Sequence, residues 1–401
     1  MGSNYGHLAG FLPFYEELKK RNYLVEFVIR DLSFAHKILD PLGVRYFQAP
    51  VFRDQSTPQE STYSYVDLLA QAGFCDIDQL NTSVNVWRNL FELLDATFVI
   101  ADHAPTAVLA ARSLGIPTAL FGSGFFIPPN TEPFPIFHIW NNLPNQTAFK
   151  NNATVLNNIN RVLDRTSKQQ VSHICELFDV EARFLCATPE IDHYRDRENE
   201  DYWGPYFADT LGAEPIWPET PGVKIFAYLT EKITNLKQAM AALKNTEGSK
   251  LVHVPNASPE FLTEHAQQNM VLEPNLLCLS EVLASVDLVI HQGGVGTASA
   301  CLMAGVKQLI IPTQLEQRML CARLVSQGFA FGIDFNESVG AYSAAIQGAL
   351  ASPSLAANVE AFHLKYLGFD RYEQLAAMAD EIEEILAQKK EPSVKPDSLF
   401  E

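Results

Sequence analysis

The chain is short of cationic residues, has no paired-cysteine spacing and contains no long apolar run. Lys and Arg total 29 of 401 residues against 47 Asp and Glu, a formal net charge of −18. Nucleic acid binding depends on Lys and Arg neutralising phosphates, and anionic membrane surfaces select for the same residues. Both partners are therefore disfavoured. A small phosphate-bearing ligand stays open, because backbone amides at a helix N-terminus bind phosphate without net positive charge. The six cysteines (75, 175, 186, 278, 301 and 321) show no C-x-x-C pair and no zinc-ligand spacing. They read as reduced core residues. No stretch approaches the roughly 18 apolar residues of a membrane span. The opening MGSNYGHLAG has no basic-then-apolar succession of the secretory kind, so a cytoplasmic protein is the expectation.

What is present is ordinary globular composition, 47% apolar and 19% charged, over a length that favours two domains. Strand-like apolar runs alternate with helix-period segments, the sequence form of parallel sheets covered by helices. In the first half a helical spacing (Leu8, Phe11, Leu12, Tyr15, Leu18) leads to a strand at 23–29. A helix at 78–94, a strand at 97–101, a helix from Pro105 and a strand at 117–122 follow. Residues 131–153 break the rhythm as a long loop, and such loops are usually functional. In the second half strands at 223–229, 250–254, 287–290, 306–312 and 329–333 alternate with helices at 233–244, 298–303 and 315–327. Three more helices close the chain. The stretch 201–222 carries four prolines (205, 215, 218 and 221) without apolar periodicity, which marks a boundary. The expected layout is a first domain over 1–205, a linker over 206–222, a second domain over 223–388 and a disordered tail over 389–401.

The most informative segment is 287–328, DLVIHQGGVGTASACLMAGVKQLIIPTQLEQRMLCARLVSQG. A strand ends near Ile290, a turn carries Gly293, Gly294 and Gly296, and a helix begins near Thr297. Glycines let backbone approach a ligand closely, and the helix start offers unpaired N–H groups with about half a positive charge. The plainer alternative is that the glycines only permit a tight turn. A dinucleotide fingerprint is not matched, since Gly294-Val-Gly296 lacks its third glycine.

H-x-G-G-x-G-T, then A-G-V, then a strand ending in Pro, then an acidic residue followed by Gln, resembles the donor-binding signature of family 1 glycosyltransferases, the bacterial macrolide-type enzymes among them. The resemblance implies a GT-B fold: two Rossmann-like α/β domains facing across a cleft, with parallel sheets flanked by helices. It implies that His291 and Thr297 contact a pyrophosphate, with amides of Gly294 and Gly296 assisting and Gly293 counted in the same donor-binding set. It also implies that Glu316 and Gln317 hold sugar hydroxyls. Thr230, just after the strand at 223–229, is counted with this donor set. Ser299 stands where many members carry a ribose-binding Glu, which leaves ribose recognition open. The Trp that often faces the nucleobase in the family's plant enzymes has no counterpart near Leu272-Glu273-Pro274, which leaves uridine versus thymidine open.

The first half is similar to the same family. YGHLAGFLPFYEELKKRNYLVEFVIRDL resembles its opening G-H segment, whose His is the usual general base. VIADHAPTAVLAARSLGIPTALFGSGFF resembles the segment that supplies that base with an Asp partner. The implied pair is His7 and Asp102. Imidazole suits proton removal near neutrality, and a carboxylate on the second ring nitrogen fixes its tautomer. From the residues alone, Asp102 equally fits a cap for the helix from Pro105, and His103 is a rival base. Phe125, Phe126, Phe137 and Trp140 are candidates to line an acceptor pocket, between loops at 51–85 and 125–155.

The implied activity is inverting, metal-independent transfer of a sugar from a UDP- or dTDP-sugar to a hydroxyl of a small-molecule acceptor, with no cofactor besides the donor. An idle nucleotide-sugar-binding protein and a GT-B nucleotide-sugar epimerase are the alternatives. One further expectation concerns the start. Only five residues precede Gly6-His7, too few for a strand of five or six residues, and a short apolar strand is expected upstream.

Overall fold

The computed structural model describes residues 5–51, 62–137, 149–195, 197–207, 210, 212–230 and 233–390. In the first half, strands β1 (Phe27–Ile29) and β2 (Tyr46–Gln48) pair in parallel, and β3 (Val99–Ala101), β4 (Thr118–Gly122) and β5 (Ala182–Leu185) form a second parallel group. Among the described residues no ladder joins the two groups. The second half is one parallel sheet of β6 (Lys224–Tyr228), β7 (Ser249–His253), β8 (Met270–Glu273), β9 (Leu288–His291), β10 (Lys307–Ile310) and β11 (Phe331–Gly332). Its order is β11–β10–β9–β6–β7–β8.

Side-chain alternation shows why these runs are apolar throughout. On β4, Ala119 and Phe121 enter one core with Phe11, Phe14 and Phe27, while Leu120 faces another with Val108 and Val155. On β9, Val289 packs with Phe226 and Cys301, whereas Leu288 and Ile290 face the core holding Ile225 and Leu309. Successive residues point to opposite faces, and both faces of a parallel sheet are covered. Helices at Tyr5–Lys20, Ile77–Leu93, Pro105–Leu114 and Asn152–Arg165 cover the first half. The second is covered by Leu236–Lys244, Val295–Met303, Leu315–Ser326, Val339–Ala351 and Pro353–Lys365. Among the described residues no helix is long and apolar enough to cross a membrane.

The last helix departs from the expected layout. The sequence groups 371–388 with the second domain, but the helix Arg371–Lys390 buries Leu375, Met378, Ala379 and Ile382 against Leu8, Phe14 and Phe184 of the first. Gln374 donates to the carbonyl of Gly204 at 2.8 Å and Arg21 to that of Ala376 at 3.0 Å. Helix periodicity reports that one face is buried, not which domain buries it. The helix also runs past the expected start of the tail, with Lys389 3.3 Å from the Glu181 carboxylate.

Candidate active site

Most of the candidate residues lie at the C-terminal ends of strands, the edge at which open parallel sheets bind ligands. Asp102 follows β3 directly and is buried. Its Oδ2 lies 2.8 Å from His7 Nδ1, on the first turn of the helix Tyr5–Lys20. The capping alternative falls away, because the helix Pro105–Leu114 has Ala104 as its cap residue with no side-chain cap bond. Burial opposes charge on His7, but the charge and hydrogen bond of Asp102, with Glu316 adding, outweigh it and raise the imidazole above its ordinary pKa. Burial likewise opposes ionisation of Asp102, and its coupling to His7 overrides this to hold the carboxyl below its usual range. The second carboxylate oxygen, Oδ1, is buried without a partner among the described residues.

His103, the rival base, sits at φ 45° with its ring 4.4 Å from that of Phe126. Burial pushes its pKa down to about 3, so it stays neutral at all working pH. Phe126 also meets His7, with ring centroids 5.1 Å apart, and is the aromatic that borders the pair. Phe125 packs edge-on against Phe126, ring centroids 5.2 Å apart, and lies one step further from the pair. It is buried against Phe137, which is itself wholly buried, and His193. Trp140 lies outside the described residues.

In the second half, β9 ends at His291 and the helix Val295–Met303 starts one residue after Gly294. Helix geometry thus begins earlier than the sequence indicates, and Gly296 and Thr297 lie within its first turn, where N–H groups have no intrahelical partner. Gly293 is required twice over. Its φ is +86°, and a Cβ would stand 2.8 Å from Ile310 Cγ2. The expected phosphate contact of His291 is not what the geometry offers. Its Nδ1 accepts from the Gly293 N–H at 3.0 Å, and its Nε2 is 2.9 Å from Gln308 Oε1. Burial lowers its pKa to about 4. A neutral ring bonded at both nitrogens has no donor left for phosphate. His291 shapes the turn.

β6 and β9 are neighbours at the point where the strand order reverses, and there Gln292 Nε2 donates to Thr230 Oγ1 at 2.7 Å. At the start of the helix Leu315–Ser326, Gln317 Oε1 accepts from the N–H and hydroxyl of Thr313 at 2.8 and 3.0 Å. That leaves its NH2 as the end a hydroxyl could meet. Burial raises Glu316 to about 7, with His7 opposing the rise and Asp102 adding to it. Glu316, from the second half, is thus close enough to His7 and Asp102 of the first to interact with both electrostatically.

One residue here is not singled out by the sequence reading. His193, buried in the loop after β5, has its Nε2 4.0 Å from Glu316 Oε1. Its neighbour Asp192 is gripped by Arg197 and by Tyr202 Oη at 2.8 Å. The only available signal was the density of charge in DHYRDRENE, unusual for a loop leaving a buried strand.

No protein-family model matches the chain, and no curated protein matches it. Solved structures do. Glycosyltransferase VinC in complex with DTDP aligns over 96% of this chain and 98% of its own at 15% identity, TM-score 0.66. The spinosyn rhamnosyltransferase SpnG complexed with thymidine diphosphate covers 94% and 96% at 17% identity, TM-score 0.67. CalG4, the calicheamicin glycosyltransferase, covers 97% and 97% at 17% identity, TM-score 0.68. At such identities the likeness is one of fold: the chain has the GT-B architecture of these enzymes.

Proposed function

We propose that the chain transfers a sugar, with inversion and without a metal ion, from a UDP- or dTDP-sugar to a hydroxyl of a small-molecule acceptor. The observation that carries this reading is the 2.8 Å bond between His7 and Asp102, 95 residues apart in sequence. Because Asp102 accepts the Nδ1 proton, the free lone pair of the ring is on Nε2. That nitrogen takes the acceptor's hydroxyl proton as the oxygen bonds to the anomeric carbon. The bond from that carbon to the diphosphate oxygen breaks on the opposite face, and its electron pair leaves with the phosphate. Asp102 stabilises the resulting imidazolium, and the N–H groups of Gly296 and Thr297 meet the charge on the leaving group. Glu316 and the NH2 of Gln317 hold sugar hydroxyls.

The GT-B fold supports this reading, as do the nucleotides named with VinC and SpnG. A thermal-shift panel of UDP, dTDP, GDP and their sugars, followed by turnover with the stabilising donor, is the test. Stabilisation by none of them would defeat the proposal.

A further inference from the structure

The geometry points to His193 as a second reader of the sugar, donating from Nε2–H to the same donor hydroxyl that Glu316 accepts from. This inference rests on the proposed transfer from a nucleotide sugar and adds a residue of the opposite domain to it.

Tautomer comes first. Phe125 N–H donates to His193 Nδ1 at 3.2 Å, so the acceptor lone pair is on Nδ1 and the ring proton on Nε2. Burial pushes the imidazole pKa down to about 4, and the ring remains neutral. The Nε2–H is therefore a fixed donor. It is buried without a hydrogen-bond partner among the described residues, and an orphaned buried donor destabilises the fold until something accepts from it. The carboxylate oxygen facing it is 4.0 Å away, beyond hydrogen-bond reach. A hydroxyl oxygen placed about 2.8 Å from both would join them with an angle near 90° at that oxygen. With Glu316 ionised, such an oxygen accepts from His193 and donates to Glu316. A hydroxyl does both; an ether or a fluorine does not.

The loop is built to hold the ring still. Asp192 binds Arg197, the Tyr202 hydroxyl and, at 3.1 Å, the N–H of Tyr194. Arg197 also donates to the carbonyls of Gly124 and Ile127 at 2.9 and 2.6 Å. A Cβ on Gly124 would stand 2.0 Å from Asp192 Oδ1, so strand end and loop are in contact with no room for a side chain. The same loop meets the second domain, where Arg323 and Gln327 donate to the carbonyls of Pro189 and Glu190 at 3.0 and 2.8 Å. These contacts tie the loop of His193 to the domain that carries Glu316.

Two substitutions separate the ring's two functions. His193→Asn keeps an acceptor near Nδ1 for Phe125 and withdraws the Nε2–H. His193→Gln keeps an N–H near the position of Nε2. Calorimetry of each with UDP or dTDP, and with UDP-glucose or dTDP-glucose, measures what the sugar adds to the nucleotide. In His193→Asn the nucleotide sugar should weaken by about tenfold while the bare diphosphate changes less than about twofold. In His193→Gln both should stay within about threefold of wild type. Glu316→Gln combined with His193→Asn should cost less than the sum of the two, as expected for one shared hydroxyl. If the sugar adds as much in folded His193→Asn as in wild type, the space holds water and the inference is wrong. If wild type binds no nucleoside diphosphate at all, it is the proposed function that fails first.

Discussion

His291 and Gln308 join two adjacent parallel strands through their side chains, Nε2 to Oε1 at 2.9 Å, just before the glycine turn. With Gly293 N–H on the other nitrogen, the ring locks the chain where it leaves the sheet. His291→Ala should therefore act on stability. Two buried polar groups lose their partner, at about 1–3 kcal/mol each, and thermal or denaturant melts should register the loss. At temperatures where the variant is folded, UDP or dTDP affinity should fall by less than tenfold. An unchanged melt with lost nucleotide binding would restore a direct phosphate contact.

His7→Ala should lower kcat/KM by about a hundred- to ten-thousand-fold, the usual cost of losing a general base. Nucleoside diphosphate affinity, located in the other domain, should be unchanged. His103→Ala should retain turnover, since that ring is buried beside Phe126 and neutral. A dead His103→Ala with an active His7→Ala would reverse the assignment.

The pH profile carries the sign of the electrostatics. His7 must be neutral to accept a proton, and its pKa is raised. The acid limb of kcat/KM should therefore lie above the ordinary imidazole value of about 6.5, with activity lost as pH falls through it. Glu316 contributes to that rise. Glu316→Gln removes a negative charge that favours the imidazolium, so His7 stays neutral to lower pH. The limb should shift toward acid, even as sugar binding weakens. A shift in the alkaline direction would contradict the coupling.

Gly124→Ala places a methyl group where Asp192 Oδ1 already stands. Overpacking of this kind costs about 1–3 kcal/mol, and here it also disturbs the loop carrying His193. Gly294→Ala is the contrast. Its φ is −63° and nothing lies within 4 Å of the added Cβ, so melts should separate the two variants clearly.

Much of this architecture is legible before folding, for one physical reason. Strands buried on both faces are apolar at every position, so 118–122, 224–228 and 288–291 announce themselves, as do the polar residues at their ends. β5 escapes because its Arg183 is satisfied inside the fold by Glu200 and by the carbonyl of Pro128. β2 and β8 are too short and mixed to stand out. His7, Asp102 and their pairing are legible through resemblance. His193 is not. Its importance depends on Phe125, 68 residues away, fixing its tautomer, and on Glu316 arriving from the other domain.

The packing of the helix Arg371–Lys390 on the first domain means that the polypeptide crosses between the two domains twice, once through 206–222 and once between Lys365 and Arg371. Two crossings tether the domains to each other at two points of the chain, where a single linker would tether them at one. They also set the rule for recombining this chain with others of its architecture. A donor domain is a cassette with two ends, and an exchange that cuts only at the proline-rich linker would carry off the helix on which the acceptor domain's own core depends.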